Sequence, residues 1–215
     1  MKLYGFWRSL ASYRVRVALN LKGIAFEEAP INLLTGAQHS DDYRKVNPQA
    51  VIPALIDGDG PPIFQSMAIL EYLDESHPNP PLMPKEIRAR ARVRGLAQIV
   101  VADAHPLVVP RIRTYLEKDL AQDEPTRNKW LQHWTAKGLA ALEANLAGNP
   151  ATGRYCQGDM ITIADICVAS QVVGAAFFNV DTKPYPTAVR ILGECMKLDA
   201  FAKSHPLKQP GAPAG

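Results

Sequence analysis

Cysteine is scarce in this sequence: Cys156, Cys167 and Cys195 are three thiols in 215 residues. Their odd number and wide spacing argue against a disulfide framework, a zinc ribbon or a CxxC redox pair, and they read as buried thiols with no metal site. Charge imbalance is equally small, 24 Lys+Arg against 21 Asp+Glu for a formal +3. No stretch forms the continuous basic face that nucleic acid selects, so no nucleic-acid partner is expected. Long apolar runs are missing too, none reaching the roughly 18 residues that would read as a membrane span. The opening MKLYGFWRSL has no apolar segment behind a basic one, and the expectation is a cytoplasmic protein with no membrane partner.

What the sequence has in quantity is proline, 18 residues, and their placement is informative. Pro78, Pro80, Pro81 and Pro84 fall within SHPNPPLMPKE, where missing backbone donors and a disfavoured helix predict a linker over 80–86. The length allows one large domain or two small ones. Before the linker, short apolar runs at 2–5, 25–31 and 54–57 alternate with helical stretches at 12–21 and 66–75, which predicts a small mixed α/β domain over 1–79. After it, 87–215 reads as helix almost throughout. A helix from about Lys85 to Leu120 is expected, kinked at Pro106 and Pro110, with others near 125–146, 163–177 and 187–198. Arg88, Arg90, Arg92 and Arg94 alternate, spread around the helix and read as a solvated surface. The tail Pro206–Gly215 reads as loosely held. Thr162 and Asp165 have capping-box spacing, with Ile161 and Ile166 placed as a hydrophobic staple, so a helix starts there for structural reasons.

Three segments carry candidate chemistry. Trp7-Arg8-Ser9-Leu10-Ala11-Ser12 lies between a predicted strand and helix, where free N–H groups and the dipole favour an anion or thiolate, and a Ser hydroxyl can add one bond. From these residues alone, Ser9 or Ser12 reads first as a plain cap of the helix. In Asn47-Pro48-Gln49-Ala50-Val51-Ile52-Pro53-Ala54-Leu55, a cis peptide at Pro53 would leave the Ile52 N–H and C=O free for a peptide ligand. Gln65-Ser66 opens an amphipathic helix, a place suited to a carboxylate or to simple capping.

In this order the segments resemble the cytosolic glutathione transferases, and most closely their zeta class. Phe6-Trp7-Arg8-Ser9 with Arg14-Val15-Arg16-Val17-Ala18-Leu19, then Asn47-Pro48, Val180-Asp181 with Pro184-Tyr185-Pro186, and Ser204-His205-Pro206 with Gln209-Pro210 carry the likeness over essentially the whole chain. It implies an α/β thioredoxin-like N-terminal domain followed by an all-α helical C-terminal domain, glutathione as cofactor, and a homodimer. It further implies that Ser9 orients the glutathione thiol with Leu10 and Ala11 beside it. Gln38, Ile52 with Pro53, Gln65, Ser66 and His105 would contact the tripeptide, and Arg8 would meet an anionic substrate. The implied activity is glutathione-dependent cis–trans isomerisation of maleylacetoacetate or a related cis-enone acid such as maleylpyruvate. Two departures stand out. Many members of the class carry Ser-Ser-Cys where this chain has Ser9-Leu10-Ala11, and the isomerases tend to have an Arg at the position of Phe177, for which Arg111 is the candidate replacement. Phe177 and Leu10 keep a second reading open, a general conjugating, dehalogenating or peroxide-reducing transferase; a third, of a different class, is a non-catalytic glutathione-fold protein that acts through partner binding.

Overall fold

Strand β1 (Lys2–Gly5) is followed directly by helix α1 (Leu10–Leu21), which is buried without a break from Leu10 to Leu19. In the computed structural model, which describes residues 1–213, the chain continues through β2 (Glu27–Pro30), α2 (Asp41–Val46), β3 (Ala54–Ile56), β4 (Ile63–Phe64) and α3 (Ser66–Ser76). The sheet order is β2-β1-β3-β4, with β2 parallel to β1 and the other pairs antiparallel. A parallel β1–β2 pair needs a crossover, and α1 supplies it. The α1 core comprises Tyr13, Val15, Val17, Ala18 and Leu19, all fully buried, while Ile69, Leu70 and Leu73 bury the inner face of α3. Lys22 at the end of α1 ties the far end of this unit together, donating to Asp74 Oδ1 at 2.7 Å, the His77 carbonyl at 2.7 Å and the Pro80 carbonyl at 2.6 Å.

The chain divides into two units, Met1–Pro81 together with the described residues from Lys197 on, and Leu82–Met196. Both boundaries differ from the 1–79, 80–86 and 87–215 expected from composition. Leu82 and Met83, inside the expected linker, are buried, and the Leu82 carbonyl accepts from Ile163 N–H at 3.0 Å. At the other end, α9 (Asp199–Ser204) packs on α1, with Asn20 Nδ2 donating to Ser204 Oγ at 2.8 Å. The tail is held over its described part: Pro206 is buried, and Gln209 Nε2 donates to the Lys203 and His205 carbonyls at 2.7 and 3.0 Å. Ala214 and Gly215, which the expectation of a loose tail also covered, lie outside the described residues.

The second unit is helical: α4 (Ile87–Gln98), α5 (Pro110–Lys118), α6 (Glu124–Leu146), α7 (Ile163–Phe177) and α8 (Pro186–Met196). The expected kinked helix is broken more thoroughly than foreseen. It passes from α4 into a π-helical stretch (Ile99–Ala104) and a 3₁₀ turn (His105–Leu107) before α5 begins at Pro110. Pro106 cannot donate to the preceding turn, while Pro110 suits the first position of a new helix. Helix α7 is buried on every side from Ile163 to Ala175. Asp165, itself fully buried, accepts from Cys156 N–H at 2.7 Å, Thr162 N–H at 2.8 Å and the Thr162 hydroxyl at 2.8 Å, so the capping-box expectation holds. Arg92 departs from its expected solvated role. Its guanidinium donates to the Cys156 carbonyl, to Gln157 Oε1 at 2.9 Å and to Thr152 Oγ1 at 2.7 Å, clamping the loop before α7 onto α4.

Candidate functional site

The pairing registers gather the candidate segments of the first unit at one end of the sheet. Tyr4 pairs with Ala54, Ala54 with Phe64 and Gly5 with Pro30. The end of β1, the end of β2, the start of β3 and the end of β4 are therefore neighbours. From these four points leave the Ser9 turn, the loop carrying Gln38, the Ile52-Pro53 loop and the Gln65-Ser66 helix start.

Ser9 is the N-cap of α1, and its Oγ accepts from Ser12 N–H at 3.1 Å. A hydroxyl has two lone pairs and one proton, so capping occupies an acceptor and leaves the donor for a ligand. The two readings of Ser9 are thus compatible in one geometry. Ser9 N–H donates to the Phe6 carbonyl at 3.0 Å, closing a turn whose central residues are Trp7 and the half-buried Arg8. Leu10 and Ala11 are buried in the first turn of α1.

The Ile52–Pro53 peptide is cis, and strand pairing begins only at Ala54, leaving Ile52 outside the ladder. Its loop is anchored from within: Asn47 Nδ2 and the Tyr43 hydroxyl both donate to the Val51 carbonyl at 2.7 Å. Burial pushes the Tyr43 phenol up to about 12, so it remains a donor. Gln65 has φ +70°, a conformation costing about 1–3 kcal/mol in a non-glycine residue and concentrated at ligand clamps. Its Nε2 donates to Gln49 Oε1 at 2.8 Å. Gln65, the N-cap of α3, makes no side-chain cap hydrogen bond among the described residues, so the first N–H groups of that 11-residue helix point toward the same end of the sheet with their dipole positive. Ser66 is buried and accepts from Arg14 Nε at 3.1 Å. Gln38 lies in a 3₁₀ turn (Ala37–His39), where its Oε1 is buried with no partner among the described residues. These are features of a cradle for an extended, charged peptide: orphaned acceptor, uncapped helix, free loop backbone and an unspent hydroxyl donor.

The remaining candidates belong to the second unit. His105 opens the 3₁₀ turn after the π-helical stretch, Arg111 is exposed in the first turn of α5, and Phe177 is the half-buried last residue of α7. All three cysteines are free and buried there, and burial raises the Cys156 and Cys195 thiols. Among the described residues no three His, Cys, Asp or Glu side chains converge as for a metal.

Five residues that brace the site, Arg14, Arg16, Glu28, Tyr43 and Asn47, were given no role from the sequence, although Arg14, Arg16 and Asn47 lie in the segments that carry the likeness. The signal was present in YRVRVAL, where two arginines interrupt an apolar run that the helix must bury, so each needs a partner. Arg14 finds Ser66, and Arg16, 1% exposed, finds Glu28.

Comparison with known proteins defines the class. Residues 1–75 match the family model described as glutathione S-transferase, N-terminal domain. A maleylpyruvate isomerase from Ralstonia sp is 43% identical over 98% of this chain and 99% of its own. A solved maleylacetoacetate isomerase from Methylobacterium extorquens AM1, with bound malonate and glutathione, superposes with TM-score 0.98 at 51% identity over 100% of both chains. Another from Anaeromyxobacter dehalogenans, solved with bound dicarboxyethyl glutathione and citrate, has TM-score 0.85 at 36% identity over 99% of this chain and 97% of its own. The chain belongs to the glutathione transferase family, in its zeta class alongside the maleylacetoacetate and maleylpyruvate isomerases.

Proposed function

We propose that this protein is a glutathione-dependent cis–trans isomerase acting on maleylacetoacetate or a related cis-enone acid such as maleylpyruvate. The observation that carries the reading is Ser9: a helix-capping hydroxyl whose acceptor is used by Ser12 N–H at 3.1 Å and whose donor remains for a ligand. Bound glutathione supplies a thiolate nucleophile that adds reversibly to the C=C bond and makes it rotatable. Free thiols have a pKa of about 8.5, so the protein must favour the charged form at neutral pH. The start of α1 does so with its dipole, its N–H groups and the Ser9 O–H. Gln65, Ser66 and the uncapped start of α3 hold the γ-glutamyl carboxylate, the Ile52 backbone holds the cysteinyl peptide, and Gln38 reaches the glycyl end. Arg8 meets a substrate carboxylate or the negative charge that develops on its carbonyl oxygen. The resemblance assigns His105 to the tripeptide, and Arg111 and Phe177 to the substrate. The relative solved with dicarboxyethyl glutathione and citrate supports a site that takes glutathione together with carboxylates.

The isomerase works as a homodimer in the cytoplasm on this reading, and light scattering on the eluting protein tests the dimer. No helix among the described residues is long and apolar enough to cross a membrane. Phe177 favours a second reading, conjugation of apolar electrophiles. Presenting the enzyme with a cis-enone diacid and, separately, a chlorinated aromatic distinguishes them. The proposal expects fast isomerisation with no loss of glutathione; conjugation that consumes glutathione, with no isomerisation, overturns it.

A further inference from the structure

Arg16 sits in the middle of α1 with its side chain 1% exposed, facing a Glu28 side chain that is 23% exposed. The pair is bidentate: Nε to Oε2 at 2.8 Å and Nη2 to Oε1 at 2.7 Å. Nη2 also donates to the Phe6 carbonyl at 2.8 Å, the same carbonyl that accepts Ser9 N–H at 3.0 Å. The chain Glu28, Arg16, Phe6 carbonyl, Ser9 thus runs from the sheet to the helix cap through the charge-assisted bonds of Arg16 and one backbone bond.

A buried ion pair contributes little net stability compared with apolar packing. This one is not a stability optimum, since Arg16 Nη1 is buried without a partner among the described residues. What the pair does deliver is direction, because a planar fork held on one edge by a carboxylate fixes where its remaining N–H points. Gly5 makes room for it: a Cβ there would lie 2.5 Å from Glu28 Oε1, so any larger residue displaces the carboxylate.

We infer that the Arg16–Glu28 pair, admitted by Gly5, positions Ser9 by locking the Phe6–Ser9 turn through the Phe6 carbonyl. Arg16 is a positioning residue that touches neither thiol nor substrate. The inference rests on the reading that Ser9 orients the glutathione thiol, so a Ser9→Ala control accompanies every measurement.

The test is an ultraviolet thiolate titration of glutathione bound to wild type, Arg16→Lys, Glu28→Gln and Gly5→Ala, with thermal unfolding and steady-state kinetics on each. Arg16→Lys keeps the charge and loses the fork; Glu28→Gln is isosteric; Gly5→Ala removes neither partner and pushes the carboxylate away. The expected result is a bound thiol that titrates about one pH unit higher than in wild type, and a kcat reduced roughly tenfold, within the range of small misplacements at a reacting centre. KM for glutathione stays near wild type, because Gln65 and Ser66 are untouched. A purely structural pair would lower the melting temperature and leave the titration of the folded protein unchanged, and that result overturns the inference. If Arg16→Lys fails to fold, Glu28→Gln decides by the same titration, because the methyl of Gly5→Ala also lies 3.2 Å from Ser12 Oγ, beside the cap itself. If wild type shows no thiolate, or Ser9→Ala leaves it unchanged, the Ser9 reading falls and takes this inference with it. If Ser9→Ala shifts the titration and the other variants do not, the inference alone falls.

Discussion

Replacing Ser9 by Ala and by Asp separates two tasks that one hydroxyl performs. The Ala variant removes the cap bond to Ser12 N–H, 3.1 Å in the native turn, at a cost of about 1 kcal/mol. For a chain of this size that lowers the melting temperature by about 2–4 °C. It also removes the donor to the thiolate. A hydrogen bond to a charged group contributes about 1.5–3 kcal/mol, and one pKa unit corresponds to about 1.4 kcal/mol, so the bound thiol should titrate about one to two units higher. The sign follows from the donor favouring the ionised form. Turnover at a pH well below the pKa of the bound thiol then falls about tenfold to a hundredfold with the thiolate fraction, and by less at pH values near that pKa. Asp at position 9 retains an acceptor for Ser12 N–H and places a negative charge at the start of α1, both favourable for the helix. It offers no donor and repels a thiolate, so stability is kept while the thiolate is lost. Denaturation midpoints and the ultraviolet titration measure the two effects independently. A Ser9→Ala enzyme whose bound thiol titrates as in wild type would remove Ser9 from the stabilisation of the thiolate.

Three further outcomes concern the scaffold. A methyl at Gly138 would lie 2.5 Å from Ala104 Cβ and 2.9 Å from Gln171 Nε2, so overpacking of about 1–3 kcal/mol outweighs the helical gain of about 1 kcal/mol for Gly→Ala. Gly138→Ala should therefore lower the urea midpoint, and adding Ala104→Gly should restore it. Asp165→Ala strands three buried donors at a cost of about 3 kcal/mol or more, while Asp165→Asn, which keeps an acceptor oxygen, should lose less by the same measurement. His205 packs edge-on against Tyr13 with ring centroids 6.3 Å apart, and burial first, then Lys208, lowers its pKa. The unfolded chain takes up this proton before the folded one does, so its contribution to stability is complete above about pH 6.5 and is lost as the pH falls below it. Unfolding midpoints of wild type should drop more steeply over that acid range than those of His205→Asn; equal slopes would remove His205 from the pH dependence.

Local signals were the legible ones. β1, the start of α1 and the Thr162–Asp165 cap declare themselves through neighbours a few residues apart, and Pro53 marked a loop whose Ile52–Pro53 peptide is cis. The two-residue strand β4 and the six-residue helices α2 and α9 are too short to show a period, and only tertiary packing holds them. The partners of buried charges were illegible for a different reason. Arg16 and Glu28 meet because parallel pairing brings β2 alongside β1, and Arg92 meets Thr152 across 60 positions. Nothing in the spacing encodes those contacts, although arginines inside an apolar helix announce that partners must exist. The family resemblance drew Ser9, Gln38, Ile52, Gln65 and Ser66 into one list, and the registers of four short strands give the physical reason that they leave one end of one sheet.

Glutathione that acts as a regenerated nucleophile must support many turnovers per molecule. Incubating the enzyme with maleylacetoacetate or maleylpyruvate and a substoichiometric amount of glutathione, while following the trans product and the free thiol together, tests this directly. Complete conversion with the thiol conserved is expected, and none when glutathione is left out. Conversion that stops at one product per glutathione, or that proceeds equally without it, would show that glutathione is not a regenerated nucleophile of this protein.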